Sequence, residues 1–159
     1  MKLTRNLFVP LLDTSNGQGE AAYKPIDLST IFELSFNPQE ETYGYICYAN
    51  DSTEVTSYAP ELPQEIVLDN TNPIYLFVKN KMLEFPTGSD LEVPVLLALP
   101  NDSTGQPTDG MLWSKAILSP GTIATVDGKL TFSLKLNGDI TRGTVSGIGT
   151  DTVTFKPAV

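Results

Sequence analysis

Gly128-Lys129-Leu130-Thr131-Phe132-Ser133-Leu134-Lys135-Leu136-Asn137-Gly138 is the stretch that decides the fold. Leu130, Phe132, Leu134 and Leu136 alternate with Thr131, Ser133 and Lys135, the period of a strand with one buried face. Asp127-Gly128 and Asn137-Gly138 flank the run, and both dipeptides are hairpin-turn signals.

Working outward, the same period recurs. Phe32, Leu34 and Phe36 alternate with Glu33 and Ser35, which predicts a half-buried strand from Thr30 that ends at Pro38. Tyr43 to Ala49, Thr53 to Tyr58 and Gln64 to Leu68 read as three further strand runs. Leu91 to Leu99 is almost wholly apolar and reads as a central strand, with Pro94 marking an edge or bulge near its start. Met111 to Leu118 reads as one strand, and Gly143 to Phe155 supplies a last hairpin. One helix is predicted, at about 73–84. Asn72 suits the N-cap, Pro73 suits the first helical position, and Ile74, Phe77, Val78, Lys81 and Met82 share a face. The expected architecture is mainly β, a sandwich or barrel of about eight or nine strands with one packed α-helix. Asp13 to Gly19 has loop composition, so residues 1–24 are expected to form a flexible N-terminal arm and 25–159 a single domain.

Charge is distributed unevenly. Residues 25–78 hold nine acids and no Lys or Arg. Residues 1–110 carry sixteen acids and five bases, a net −11, and residues 111–159 carry three acids and five bases, a net +2. The acids are interleaved with apolar residues, which argues for a folded surface rather than a disordered tail. A field of that sign repels nucleic-acid phosphate.

Several chemistries are excluded or weakened. There is no His and a single Cys, Cys47, so a zinc site or a Cys–His nucleophile is not expected. Cys47, among Tyr43, Tyr45, Ile46 and Tyr48, reads as a small buried hydrophobe. Glu40-Glu41 and Glu61 with Glu65 could in principle form catalytic carboxylate pairs, and solvated acids explain them better. Asp51, Glu54 and Asp102 are oxygen donors without a calcium-loop pattern. Tyr43, Tyr45 and Trp113 form a candidate carbohydrate platform, against which stands their more ordinary use in cores and interfaces. The expectation is a non-enzymatic protein without cofactor or metal. The apolar run Leu7 to Leu12 is short and broken by Pro10, so no signal peptide is read, and no run reaches the ~20 apolar residues of a membrane span.

A soluble β domain with one helix and a one-sign acidic segment suits an assembly subunit. The chain resembles the tail tube (major tail) proteins of tailed bacteriophages. The residues that carry the resemblance are Ile31 to Pro38, Glu41 to Ile46, Tyr58 to Ile66 ahead of the Asp69 to Pro73 helix start, Gly128 to Phe132, Asn137 to Asp139 and Gly143 to Val145.

That resemblance implies a structural virion protein in the tail, assembled in the bacterial host cytoplasm. It implies hexameric rings stacked into a hollow tube, built around a tape-measure protein and joined to baseplate or tail-tip and terminator proteins. Double-stranded DNA would pass through the tube without tight binding. On this resemblance Glu54, Glu65 and Asp69 are the expected lumen-facing acids. Asn37 to Asn50 is the expected intersubunit loop, anchored by Tyr43 and Tyr45, and residues 1–24 are the expected inter-ring arm. The competing readings are a tail terminator or head–tail connector that stops at a single ring, and a non-viral carbohydrate-binding β-sandwich.

Overall fold

The computed structural model describes residues 2–15, 19–29, 31–150 and 152–158. The mainly β expectation with one packed helix holds. Among the described residues the strands are β1 (Val9–Asp13), β2 (Tyr23–Pro25), β3 (Pro38–Tyr43), β4 (Ser52–Tyr58), β5 (Glu61–Val67), β6 (Val95–Leu99), β7 (Asp109–Trp113), β8 (Ile117–Ala124), β9 (Lys129–Lys135), β10 (Ile140–Ser146) and β11 (Thr154–Pro157), with α1 at Pro73–Leu83. They form a six-stranded sheet in the order β11-β10-β7-β6-β1-β2, a three-stranded sheet β5-β9-β8, and a separate two-stranded hairpin β3-β4.

The two larger sheets face each other across the main core. Leu62, Ile66, Leu118, Leu130, Phe132 and Leu134 enter it from the small sheet, and Leu12, Val95, Leu97 and Trp113 from the large one. The alternation along Lys129–Lys135 is realised as drawn, with Leu130, Phe132 and Leu134 buried between half-exposed neighbours. The unbroken apolar run of β6 has a different cause. Val95 and Leu97 point into the main core, while Leu96 and Ala98 point into a second cluster on the far face of the sheet. Val153, Ile148 and Phe155 contribute to that second cluster. A strand covered on both faces loses its polar alternation.

Helix α1 begins as the sequence predicts. The Asn72 side chain accepts from the amides of Ile74 (2.8 Å) and Tyr75 (3.4 Å), satisfying donors that the first turn leaves open. Ile74, Tyr75 and Val78 are buried in the main core.

Several expectations need correction. Residues 1–24 do not form an arm throughout. β1 is paired on both sides, with β2 and β6, and its Leu11 and Leu12 are fully buried. The loop that follows β1 is fastened at its start by Asp13, whose carboxylate accepts from the Ser15 amide (3.0 Å), the Ser15 hydroxyl (2.6 Å) and the Ala22 amide (3.0 Å). Residues 16–18 of that expected loop lie outside the described residues, as does Thr30.

Residues 31–36 are not a strand. They join no ladder and touch β5 through an isolated bridge, Ser35 with Glu61. The expected strand at 43–49 lies earlier, at Pro38–Tyr43, and 44–51 is a loop. Met111 to Leu118 divides into β7 and β8, which belong to different sheets. Asn137-Gly138 therefore carries the chain from β9 in one sheet to β10 in the other and does not close a hairpin. Asp127-Gly128 does close one, between β8 and β9, with Gly128 at φ 67°.

Candidate functional site

The most distinctive surface is the β3–β4 hairpin. Every residue of both strands is exposed. Strand propensity and turn chemistry explain its local form. Thr42 and Thr53 sit opposite each other with hydroxyls 3.3 Å apart, and a turn at Ile46-Cys47, with the Tyr48 amide donating to the Tyr45 carbonyl at 3.1 Å, returns the chain. At the root, Asn37 adopts a left-handed φ of 44°, a conformation Asn tolerates better than most residues. Its side chain donates to the Ala59 carbonyl at 3.1 Å, and the Ala59 amide donates to the Asn37 carbonyl at 3.3 Å.

The tip carries apolar groups into solvent. Tyr45, Ile46 and Tyr48 are exposed, Ile46 completely. Tyr43 stacks on Tyr45 with ring centroids 5.9 Å apart, and Tyr48 meets Tyr45 edge-on at 6.1 Å. Cys47 lies exposed within this cluster, which corrects the expectation of a buried thiol. The Tyr43 hydroxyl donates to the Glu41 carboxylate, and this bond raises the phenol's pKa above its ordinary value. Glu41 also faces Glu54 across the ladder, a like-charge pair that costs the hairpin stability.

The expected lumen acids occupy three different pieces of the chain. Glu54 is on β4 of the hairpin. Glu65 is on the outer face of β5 and pairs with Lys129 of β9 at 2.8 Å. Asp69 sits in the turn before α1. There its carboxylate accepts from the Thr71 amide (2.9 Å) and hydroxyl (2.6 Å), and both bonds hold its pKa below the usual carboxylate range. The same outer face of the small sheet carries a second ion pair, Lys135 with Glu61 at 2.7 Å. Glu61 and Glu65, considered above as a carboxylate pair, are thus each matched to a lysine. Among the described residues no three His, Cys, Asp or Glu side chains converge to hold a metal ion. Trp113 is 2% exposed and belongs to the core, so it shares no platform with Tyr43 and Tyr45.

A second feature was not foreseen from the sequence. The large sheet is wider than the small one that packs on it. Where coverage ends, Leu99, Met111, Trp113, Ile140 and Arg142 line one side of a groove of about 1050 Å³. The segment 31–36 lines the other side through Ile31, Phe32, Leu34 and Phe36. The alternation that suggested a strand at Phe32, Leu34 and Phe36 is the signal that pointed here. It marks a segment with an apolar face, which packs on a groove and not in a ladder.

No protein-family model and no curated protein matches the sequence. Solved structures share the fold. One is a chain from the cryo-EM structure of the anti-feeding prophage (AFP) baseplate, 13% identical, with a TM-score of 0.50 over 89% of this chain and 95% of that one. Another is a chain from the sheath/tube terminator of an extracellular contractile injection system (PVC) in the extended state, 9% identical, with a TM-score of 0.51 over 89% of this chain and 96% of that one. At these identities the likeness is one of fold, and function has to be argued from the surface.

Proposed function

We propose that the chain is a structural subunit of a phage-like tail particle, assembling with copies of itself into rings. The observation that carries this reading is the hairpin. A sandwich of this fold projects two strands whose residues are all exposed, with an aromatic tip, and a two-stranded ribbon standing alone in water is marginally stable. Exposed aromatic clusters of this kind serve as interface anchors. The structural neighbours, parts of a baseplate and of a tube terminator, support an assembly role over an enzymatic one. We read Tyr43 and Tyr45 as intersubunit anchors.

Within that role we favour a tube subunit with stacked hexameric rings and an acidic lumen. The overall charge of −9 supports a channel that DNA traverses without sticking. Glu54, Glu65 and Asp69 are the proposed lumen acids, and Lys129 reduces the share that Glu65 contributes. Tape-measure, baseplate and terminator proteins are the proposed partners, in the tail of the virion. The terminator reading has its own support in the likeness to a sheath/tube terminator.

Negative-stain electron microscopy of the concentrated protein separates the two. Hollow tubes or stacked sixfold rings establish the tube subunit. Single closed rings establish a terminator. Where tubes form, replacing Glu54, Glu65 and Asp69 with Lys should leave them intact and impair DNA ejection; normal ejection would remove the lumen assignment.

A further inference from the structure

We propose that the tip of the β3–β4 hairpin of one copy seats in the inter-sheet groove of a second copy. The inference rests on the reading that the chain self-assembles, and it names the receiving surface.

Shape and polarity match. The groove is lined by apolar side chains, Leu99, Met111 and Ile140 among them. It is at or above the upper end of the roughly 300–1,000 Å³ typical of ligand pockets, room for a group of side chains. The tip offers such a group in Tyr45, Ile46 and Tyr48, of which the two tyrosines are already held by ring contacts, which lowers the entropy lost on docking.

Charge matches too. Apart from Glu54, assigned above to the lumen, the hairpin from Pro38 to Tyr58 carries Glu40, Glu41 and Asp51 and no base. The groove is lined by Arg142 and by Arg5, which is already engaged within the chain, against a single acid, Glu33, so Arg142 is the cation the hairpin acids would meet.

The occupant has to come from another molecule. Phe36 and Tyr58, at the hairpin root, line the groove themselves. The ladder from Pro38↔Tyr58 to Tyr43↔Ser52 carries the tip away from that root. At about 3.3 Å per residue it does so by about 17 Å. A chain's own tip is therefore held away from its own groove. A donor and an acceptor surface at different places on one molecule are the elements of a head-to-tail contact, which closes into a ring or continues as a stack.

Cys47, the single cysteine, makes the contact testable. A Glu33→Cys, Cys47→Ser chain carries its thiol on the groove and none on the tip. Mixed with the wild-type chain under mild oxidation, it should give a mixed disulfide at least tenfold above a control in which the thiol is placed by Lys79→Cys, Cys47→Ser on α1. Ile46→Asp in the tip-donating chain should abolish that excess without shifting its urea unfolding midpoint, because Ile46 is fully exposed. Arg142→Glu in the groove-donating chain should reduce it severalfold.

Equal cross-linking to the groove and to α1, or an excess that survives Ile46→Asp, overturns the proposal. Imaging of the Ile46→Asp chain keeps the two readings apart. If it forms rings or tubes as the wild type does, self-assembly stands and this contact falls. A wild-type chain that neither assembles nor cross-links removes both.

Discussion

The β5–β9–β8 sheet and the β3–β4 hairpin are both antiparallel and similar in strand length, yet they are stabilised by opposite means. β5 and β9 bury every second residue, and their outward charges are matched, Glu61 with Lys135 and Glu65 with Lys129. β3 and β4 bury nothing and set Glu41 directly against Glu54. The first sheet is stabilised by its own core. The second lacks a core and carries a repulsion that selection for stability alone would remove. The difference teaches that the sandwich is the scaffold; on the intersubunit reading proposed above, the hairpin is kept for what it contacts.

The largest expected effect breaks the scaffold and spares the hairpin. Leu97→Ala, at a fully buried position of β6, should cost about 2–5 kcal/mol in urea unfolding. Ile46→Ala at the exposed tip should cost no more than about 0.5 kcal/mol. Similar losses at both sites would mean that the hairpin packs on the sandwich in solution. Next in size, Asn72→Ala removes the cap of α1 and also its 3.1 Å bond to Asp27, with an expected loss of about 1–2 kcal/mol in the same measurement.

A smaller effect of opposite sign sharpens the contrast. Glu54→Lys turns the Glu41 repulsion into an attraction and should protect the hairpin amides in hydrogen exchange, by about 0.2–1 kcal/mol. Unchanged or faster exchange would mean that the like-charge pair is not what limits the ribbon.

The smallest effect belongs to the outer face of the scaffold. Lys135 and then Ser133 hold the Glu61 carboxyl below its ordinary pKa. The folded chain thus binds that proton less tightly than the unfolded chain does. The resulting stability is complete above the unfolded value, about pH 4.3, and is lost as pH falls through the lower folded value. Glu61→Gln should flatten the fall of the urea midpoint between about pH 5 and about pH 3. An unchanged slope would assign that acid sensitivity to other carboxylates.

The scaffold was legible where one face of a strand is buried, because burial writes a period of two into the sequence. Leu130, Phe132 and Leu134 show it, and Asn72-Pro73 announces the helix as plainly. Three kinds of information were hidden. Which sheet a strand joins is a tertiary matter, so Met111 to Leu118 reads as one strand although Trp113 and Ile117 sit in different sheets. An apolar face does not say what covers it, so Phe32, Leu34 and Phe36 pass for a ladder strand while lining a groove. Burial of β1 was concealed by the loop-like Asp13 to Gly19 beside it, although Leu11-Leu12 was there to be read. At the hairpin the sequence misleads in the other direction. Tyr45, Ile46, Cys47 and Tyr48 have core composition and are exposed.

The root of the hairpin has a mechanical consequence. Tip and sandwich are separated by a ribbon that behaves as a cantilever. A load applied at the tip reaches the body of the protein through the root, where Asn37 and Ala59 exchange two hydrogen bonds. If the chain assembles as proposed, bending would concentrate at the Asn37 joints and leave each sandwich undeformed.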